Sequence, residues 1–429
     1  MAAHHKMDDR VGRDRLEEMA QGVIGEPLDR PEGELKVSGR ATYAMDGLPA
    51  GCRHGVLVRS TVAKGRLRAF DVDSVERLPG VRAVIADDRF IKNPAQGMAG
   101  KAPAQDTREI LFFGQPVALV VADTFEQARH GAQILRQEVE RAEDAPVSLD
   151  DPTAQLDTPS NKQSSSGDID AAMRASPFTI DATYTTPGHA SAAMEPHASV
   201  ATWEDERLTL QASYQMLRYN RAELADALGI EEDNVRLLAP YVGGGFGSKL
   251  GIAPEAVAAA IASKELGTPV GVAMTRQNEF EMVLRRSDTR QRIRLAADET
   301  GRLIGIGHDA LVTNLPGEKF SEPVTQATPF LYCGDNRAIG HKIARIHRTP
   351  SGSVRAPGEA VGVTALEIAI DELAAACGID PVELRRRNIP DQDPSKEIPF
   401  SSHMLAKALE TGAARFGWSK RNASLSLGT

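Results

Sequence analysis

The chain has 429 residues, of which 41% are hydrophobic and 25% are charged, as is ordinary for a soluble protein of two or three domains. Its 59 acidic residues outnumber its 50 basic residues, which argues against nucleic acid as a partner. The longest uninterrupted apolar runs, such as 117–122, are far too short to cross a bilayer, so no membrane partner is expected either.

The cysteines and the first residues bear on the cellular compartment. Cys52, Cys333 and Cys377 lie far apart and form no Cys-x-x-Cys pair. This argues against a disulfide framework and against an iron–sulfur cluster held by this chain alone. Residues 1–18 are dense in charge and show neither the apolar core of a signal peptide nor a twin arginine. We therefore expect a cytoplasmic protein, or a periplasmic one if a partner with an export signal carries it out folded.

The amino-terminal part is predicted to be an arm (1–38) followed by a compact α/β domain (39–147). Strands are predicted where short apolar runs occur, at 55–59, 81–85 and 116–122. The apolar residues between 125 and 139 recur at spacings of three and four, which predicts one amphipathic helix. Residues 148–167, rich in Asp, Pro, Ser, Thr and Gln, are predicted to be a linker.

The second predicted domain comprises residues 168–429, and the whole chain is assigned to the α+β class. Apolar patterns predict strands at 178–184, 199–203, 207–214, 235–238, 270–274 and 293–297. Helices are predicted at 217–228, 254–266, 360–376, 381–387 and 402–416. The charged stretch 285–294 is interpreted as a solvated face, and 315–335 as an irregular segment.

A glycine-rich loop, 240–249, lies between the strand 235–238 and the helix 254–266. Glycine tolerates positive φ and lets a ligand approach the backbone, and N–H groups near a helix start favour anionic oxygen. The spacing of the glycines does not fit a dinucleotide fingerprint, and Lys249 follows a serine, not the glycine that a P-loop requires. A tight turn that holds nothing is the alternative.

Two motifs carry a resemblance to a known family. Gly-Gly-Gly-Phe-Gly at 243–247, followed downstream by Ser-Val-Arg-Ala-Pro-Gly-Glu at 353–359, resembles the molybdenum-binding subunit of the xanthine dehydrogenase/aldehyde oxidase family. Within that family the chain is most similar to the periplasmic aldehyde oxidoreductase type. Supporting stretches lie at 181–187, 194–199 and 365–373, and the resemblance extends from about residue 29 to about residue 423.

The resemblance implies an architecture and a set of cofactor contacts. It identifies 39–147 as the family's hammerhead domain and 168–429 as the first half of a molybdopterin-binding domain. The glycines of the loop would let the chain approach the cofactor, and the backbone N–H of Phe246 would donate to an oxo ligand of the metal. The predicted cofactor-binding residues are Gly243, Gly244, Gly245, Phe246, Gly247, Gln215 and Arg355. No side chain of this chain is predicted to be a metal ligand.

The resemblance also implies two catalytic residues and a pocket residue. Gln215 would lie beside the metal; a strand-end glutamine that bonds the backbone is the alternative. Arg355 would orient substrate or stabilise negative charge on oxygen; a salt bridge with Glu359 is the alternative. Purine-oxidising members have glutamate directly after the loop lysine. This chain has Leu250 there, so the substrate pocket is expected to be apolar and to favour aldehydes over xanthine.

The function implied is oxidation of an aldehyde to a carboxylic acid with water as the oxygen donor. The expected cofactor is molybdenum-molybdopterin, and the cytosine dinucleotide is a candidate form of it. Iron–sulfur clusters and FAD are expected on partner subunits. Family members also have a second half of the molybdenum domain, with the glutamate that acts as general base; we expect a separate chain to supply it. The alternative is a truncated, catalytically silent remnant that binds other subunits or acts as a scaffold.

Overall fold

The computed structural model describes residues 26–91, 101–102, 105–106, 108–332 and 334–421. The elements of its first part are α1 (Gly33–Val37), β1 (Arg53–Arg59), β2 (Gly65–Phe70), α2 (Val72–Glu76), β3 (Val81–Ile85), β4 (Glu109–Ile110), β5 (Pro116–Ala122), α3 (Phe125–Ile134), β6 (Gln137–Arg141), β7 (Gln155–Asp157), β8 (Ser164–Ser166) and α4 (Ile169–Ala175).

The second part begins with β9 and ends with a twelve-residue helix. Its elements are β9 (Phe178–Thr186), β10 (Ala198–Glu204), β11 (Arg207–Ala212), α5 (Leu217–Leu228), β12 (Val235–Leu238), α6 (Pro254–Leu266), β13 (Val270–Ala273), α7 (Arg276–Glu281), β14 (Thr289–Ala297), β15 (Leu303–Asn314), α8 (Thr328–Leu331), β16 (Asn336–Arg345), α9 (Glu359–Cys377), α10 (Pro381–Asn388), β17 (Gln392–Asp393), β18 (Ile398–Pro399) and α11 (Leu405–Phe416).

A seven-stranded sheet joins the two predicted domains. Its strand order is β12-β11-β10-β13-β1-β5-β3, so three strands from residues 39–147 continue a sheet built by four later strands. The junction is the parallel pair of β1 and β13, with Arg53 opposite Val270. Every residue of β5 is buried, as expected for a continuous apolar strand inside a sheet. The predicted domain 39–147 is therefore not self-contained, because main-chain hydrogen bonds tie it to the second.

A second sheet, of six strands, carries the rest of the chain. Its order is β7-β16-β15-β14-β9, and β8 also pairs with β16. Within the predicted linker 148–167, residues 155–157 and 164–166 pair with β16 despite their polar composition. The two long strands β15 and β16 were not predicted. The α+β class is confirmed.

Three further predictions differ from the structure. The helix predicted from 125 to 139 ends at Ile134, and 137–141 pairs with β2 as a strand because Leu135 adopts an extended conformation. Of the predicted arm, residues 1–25 lie outside the described part, and 33–37 form a helix. The helix predicted from 402 begins at Leu405. In the described ranges, no helix is both long and apolar enough to cross a membrane.

Two helices pack on the sheets and contribute residues to the two largest hydrophobic cores. Helix α6 is buried from Pro254 through Ser263 and packs on β10 and β13. It begins with proline and ends at Gly267 in the left-handed conformation, as predicted. Helix α9 packs on β9 and β14 and ends at Gly378, also left-handed. Because α6 follows the loop 240–249 and α9 follows the loop 353–358, these contacts fix the position at which each loop ends.

The packing of α9 predicts a stability effect. A Cβ at Gly362 would lie 1.9 Å from the carbonyl oxygen of Val324, so Gly362→Ala must displace backbone. We expect a loss of about 1–3 kcal/mol in the free energy of unfolding, measured by urea denaturation of the full chain. The control is Gly412→Ala in α11, where a Cβ meets nothing within 4 Å and helix propensity predicts a gain of about 0.5–1 kcal/mol. Equal midpoints for the two variants would contradict this packing.

Candidate functional site

The site consists of two loops in direct contact. The glycine loop (240–249) follows β12, and a second segment, here called the arginine loop (353–358), precedes α9. The backbone N–H of Arg355 donates to the carbonyl oxygen of Phe246 over 2.7 Å. A Cβ at Gly247 would lie 2.0 Å from the carbonyl oxygen of Ser353, so only glycine allows this approach. The fold thus brings the two motifs of the sequence together.

The glycine loop presents backbone donors that have no partner in the described structure. The N–H of Gly243 donates to Glu195 and that of Gly247 to Gln215. Among the described residues, the N–H groups of Gly244, Gly245 and Phe246 meet no acceptor. Phe246 itself has φ 54°, a left-handed conformation rare for a residue with a side chain. Three consecutive free N–H groups make this turn suited to anionic oxygen.

Gln215 lies beside the loop and uses one end of its amide. Its Oε1 accepts from the N–H of Gly247 over 3.1 Å, and its own N–H donates to the carbonyl of Lys249 over 2.8 Å. Because the atom facing the Gly247 N–H must be oxygen, the amide NH₂ is the free end of the exposed side chain. The backbone-bonding alternative is therefore observed, and it still leaves two donors available.

Arg355 is exposed, and no acceptor for its guanidinium is present in the described part of the chain. The alternative partner, Glu359, accepts instead from the side chain of Gln326. The salt bridge considered from the sequence is thus absent among the described residues. An unpaired cation on the loop that contacts the glycine loop adds a charged donor to the free N–H groups, and a set of donors suits an anionic or oxygen-rich ligand.

A buried ion pair between Lys249 and Glu195 supports the glycine loop. The Lys249 ammonium is fully buried and donates to the Glu195 carbonyl (2.8 Å) and to Ser213 Oγ (2.7 Å). Glu195 in turn accepts from Ser213 (2.5 Å) and from the Gly243 N–H (2.6 Å). Burial lowers the pKa of Lys249, and the Glu195 and Glu279 carboxylates oppose this shift. Glu195 therefore supports the glycine loop through these bonds.

His197 adds a second buried contact to the same loop. Its Nδ1 lies 2.8 Å from Glu279 Oε1, and its Nε2 lies 3.1 Å from the carbonyl oxygen of Ser248. Burial alone would lower the pKa of His197, but the Glu279 and Glu255 carboxylates together raise it. A protonated His197 donates through both nitrogens, to Glu279 and to the loop carbonyl.

The arginine loop is held by Arg286, contrary to the prediction of a solvated face at 285–294. Arg285 and Arg286 are buried, with exposed fractions of 4% and 2%. Arg286 lies 2.5 Å from Glu322, whose Oε1 also accepts from the Gly358 N–H over 2.8 Å. Burial raises the pKa of Glu322, opposed by the Gly358 N–H and by Arg286. Part of the charged stretch 285–294 is therefore buried by tertiary contacts, and Arg286 within it supports the arginine loop.

The start of the helix after the glycine loop and the environment of Leu250 were also considered from the sequence. Helix α6 begins only at Pro254, so the free N–H groups of Gly244, Gly245 and Phe246 belong to the turn and not to the helix N-terminus. Leu250 is half-buried; its N–H donates to the Gly247 carbonyl and its carbonyl accepts from Asn220. Within the described ranges, no three His, Cys, Asp or Glu side chains are grouped as metal ligands.

Comparison with known proteins supports both halves of the fold. Residues 154–389 match the model of the molybdopterin cofactor-binding domain. Residues 38–143 match that of the aldehyde oxidase and xanthine dehydrogenase a/b hammerhead domain. The chain belongs to the aldehyde oxidase and xanthine dehydrogenase family. It carries the family's hammerhead domain followed by its molybdopterin-binding domain.

Three similar proteins illustrate the range of the family. The chain is 39% identical to the aldehyde oxidoreductase molybdenum-binding subunit PaoC of Escherichia coli, covering 98% of this chain and 57% of that protein. It is 30% identical to the putative xanthine dehydrogenase molybdenum-binding subunit XdhA of Escherichia coli, covering 92% and 56%. Its fold matches quinoline 2-oxidoreductase from Pseudomonas putida with a TM-score of 0.79 at 23% identity, covering 91% and 54%. The chain thus spans little more than half the length of these relatives.

The sequence analysis selected the glycine loop, Gln215 and Arg355, but it did not select most of the residues that hold them in place. Lys249, Ser213, Arg286 and Glu322 were not selected. For Lys249, its place next to a glycine-rich turn is a local signal that could have suggested a buried anchor. Arg286 gave no such signal, because the arginine-loop carbonyls that it bonds lie 68 to 70 residues away in the chain.

The close packing of Gly245 predicts an effect on cofactor content. A Cβ at Gly245 would lie 2.3 Å from Gln215 Oε1 and 2.6 Å from its amide carbon. Gly245→Val should therefore displace Gln215 and close the approach to the free N–H groups. In the purified assembled complex, we expect this variant to lose most of its molybdenum and pterin, measured per chain, while its thermal unfolding curve still shows a folded protein.

The matched control is Gly412→Val, the same change where a Cβ meets no atom within 4 Å. It should retain the wild-type molybdenum content. Full molybdenum content in Gly245→Val would show that the loop does not face the cofactor.

Proposed function

We propose that this chain forms the glycine-loop side of the molybdenum centre of a hydroxylase that converts aldehydes to carboxylic acids. In the balanced reaction, RCHO and H₂O give RCOOH, two protons and two electrons. The observation that carries the proposal is the bond from the Arg355 N–H to the Phe246 carbonyl (2.7 Å), which joins the family's two motifs into one site.

The donor set fits a molybdopterin cofactor. Three free backbone N–H groups, the Gln215 amide and the Arg355 guanidinium are all hydrogen-bond donors, as oxo groups and phosphates require. Glycine at 245 lets the Gln215 amide pack directly against the loop, since a Cβ there would lie 2.3 Å from Gln215 Oε1. When bound, the molybdenum cofactor supplies the oxygen transfer and accepts the two electrons. The cytosine dinucleotide form is part of this proposal.

The residues of this chain would bind and orient. The N–H of Phe246 and the Gln215 amide would donate to oxygen at the metal. Their positions are set by the Gly247 N–H and the left-handed φ of Phe246. The Arg355 cation would orient the substrate carbonyl and stabilise negative charge that develops on its oxygen. A cation that is fixed through its backbone but free at its side chain suits that role.

Leu250 supports the choice of substrate class. A side chain without a hydrogen-bonding group next to the glycine loop gives a heteroaromatic ring nitrogen or carbonyl no partner, whereas an apolar aldehyde needs none. The relatives include subunits named for aldehyde oxidoreductase and for xanthine dehydrogenase. We propose that aldehydes are the substrates.

The remaining parts of the enzyme are proposed from the relatives. Since they are called subunits and are longer than the region matched here, we propose partner subunits with iron–sulfur clusters and FAD. The general base and further pterin contacts would come from sequence outside residues 1–429. We propose that the complex is cytoplasmic, or periplasmic if a partner carries an export signal.

Substrate preference and the role of Arg355 can be tested in the assembled complex. Its kcat/KM should be higher for aromatic or aliphatic aldehydes than for xanthine. Arg355→Ala should lower kcat for the aldehyde by about 100-fold or more, with a smaller change in molybdenum content. The control is Arg207→Ala, an exposed arginine at the start of β11. Efficient oxidation of xanthine, or near-normal turnover by Arg355→Ala, would refute the corresponding half of the proposal.

The need for a second half can be tested separately. Residues 1–429 expressed alone should contain little molybdenum and show no dye-linked aldehyde oxidation, because a missing general base alone costs about 10²–10⁴-fold. Co-expression with a polypeptide that supplies the remaining length of the relatives should restore both. Robust molybdenum-dependent turnover by residues 1–429 alone would show that the base lies within them.

A further inference from the structure

We propose that Arg286, paired with Glu322, is a positioning residue that sets the arginine loop, and with it Arg355, against the glycine loop. Its effect on turnover rests on the function proposed above for Arg355. Its effect on the loop can be measured without any activity.

The Arg286 guanidinium bonds to the backbone of the arginine loop at three consecutive residues. Its Nη2 donates to the carbonyls of Val354 (3.2 Å) and Arg355, and its Nη1 to that of Ala356 (3.4 Å). The Arg355 N–H, on the other side of the same peptide segment, donates to Phe246. The buried Arg286 therefore bonds one side of the arginine loop, and the glycine loop bonds the other side.

The other donors of Arg286 are also engaged, so its orientation is fixed. Its Nε donates to His189 Nε2 over 3.2 Å, and its Nη1 lies 2.5 Å from Glu322 Oε1. Glu322 accepts from the Gly358 N–H and thus fixes the far end of the loop. A planar guanidinium can satisfy all these acceptors at once, whereas the three donors of a lysine radiate from a single nitrogen.

This support matters because the loop adopts an unfavourable conformation. Ala356 has φ 54°, and Gly358 has φ 88° with a carbonyl 2.3 Å from its Cβ position. A left-handed alanine persists only where surrounding contacts determine it. Without Arg286, the loop can relax to ordinary φ values, and this relaxation would move Arg355.

Arg285 provides a matched control for burial and charge. It is the preceding residue, has an exposed fraction of 4%, and donates to Thr349, Asp288, Thr313 and the carbonyl oxygen of Arg286. None of its side-chain bonds, among the described residues, reaches 353–358. Arg285→Lys should therefore disturb the same region of the core while leaving the arginine loop in place.

The first experiment is amide hydrogen exchange on the full chain. In Arg286→Lys and in the milder Glu322→Gln, the exchange rates of the Arg355 and Gly358 N–H groups should rise by about 10- to 100-fold, as expected for losing a charge-assisted bond. Exchange in α6 should stay unchanged. Arg285→Lys should leave the arginine loop protected. Unchanged protection of 353–358 in both Arg286→Lys and Glu322→Gln, or equal loss in Arg285→Lys, would overturn the proposal.

The second experiment is a double-mutant cycle in the assembled complex, measured as kcat and molybdenum per chain. Arg286→Lys should lower kcat in the wild-type background but add little once Arg355 is alanine, because it acts through Arg355. Arg285→Lys should have the same effect in both backgrounds. Fully additive effects of Arg286→Lys and Arg355→Ala would overturn the positioning role. If the loop loses protection but Arg355→Ala leaves turnover intact, the proposed function fails and the structural inference stands.

Discussion

The hydrogen bond between the Arg355 N–H and the Phe246 carbonyl is the contact on which the site depends. It joins a loop that follows the edge strand of one sheet to a loop that follows the last long strand of the other. Phe246 and Ala356, one in each loop, both have φ 54°. Left-handed residues with side chains cost about 1–3 kcal/mol each and persist where the surroundings determine them. The two loops are therefore strained segments that stabilise each other.

Each loop also rests on a buried ion pair. Lys249 and Glu195 lie under the glycine loop, and Arg286 and Glu322 lie under the arginine loop. Buried pairs add little net stability compared with an apolar core, yet removing one partner costs about 3–5 kcal/mol. Their value here is geometric, because both pairs also bond to loop backbone, at Gly243 and at Gly358. The buried charges thus fix the direction of the main chain, and the Gln215 amide NH₂ and the Arg355 guanidinium stay free for a ligand.

The sheet that carries the glycine loop extends through the hammerhead domain. Strands β1, β5 and β3 continue the order set by β10 to β13, so the hammerhead domain supports the cofactor-binding domain through main-chain bonds. Helix α6 packs on β10 and β13 of this sheet and fixes the segment that leaves the loop. Changes in the hammerhead core can therefore alter the site, although no candidate site residue lies there.

The sequence by itself determined the elements with strong local signals and the positions of the two motifs. Pro254 and Gly267 marked α6, and the apolar run 116–122 marked β5, because capping and periodicity depend on nearby residues. The resemblance selected Gln215 and Arg355 but left their partners open. Only the tertiary structure decided that Gln215 bonds Gly247 with its oxygen, that Glu359 does not pair with Arg355, and that Arg286 is buried. It also turned polar residues 155–157 and 164–166 into strands. These outcomes depend on acceptors and strand edges distant in the chain, which no local pattern of residues can specify.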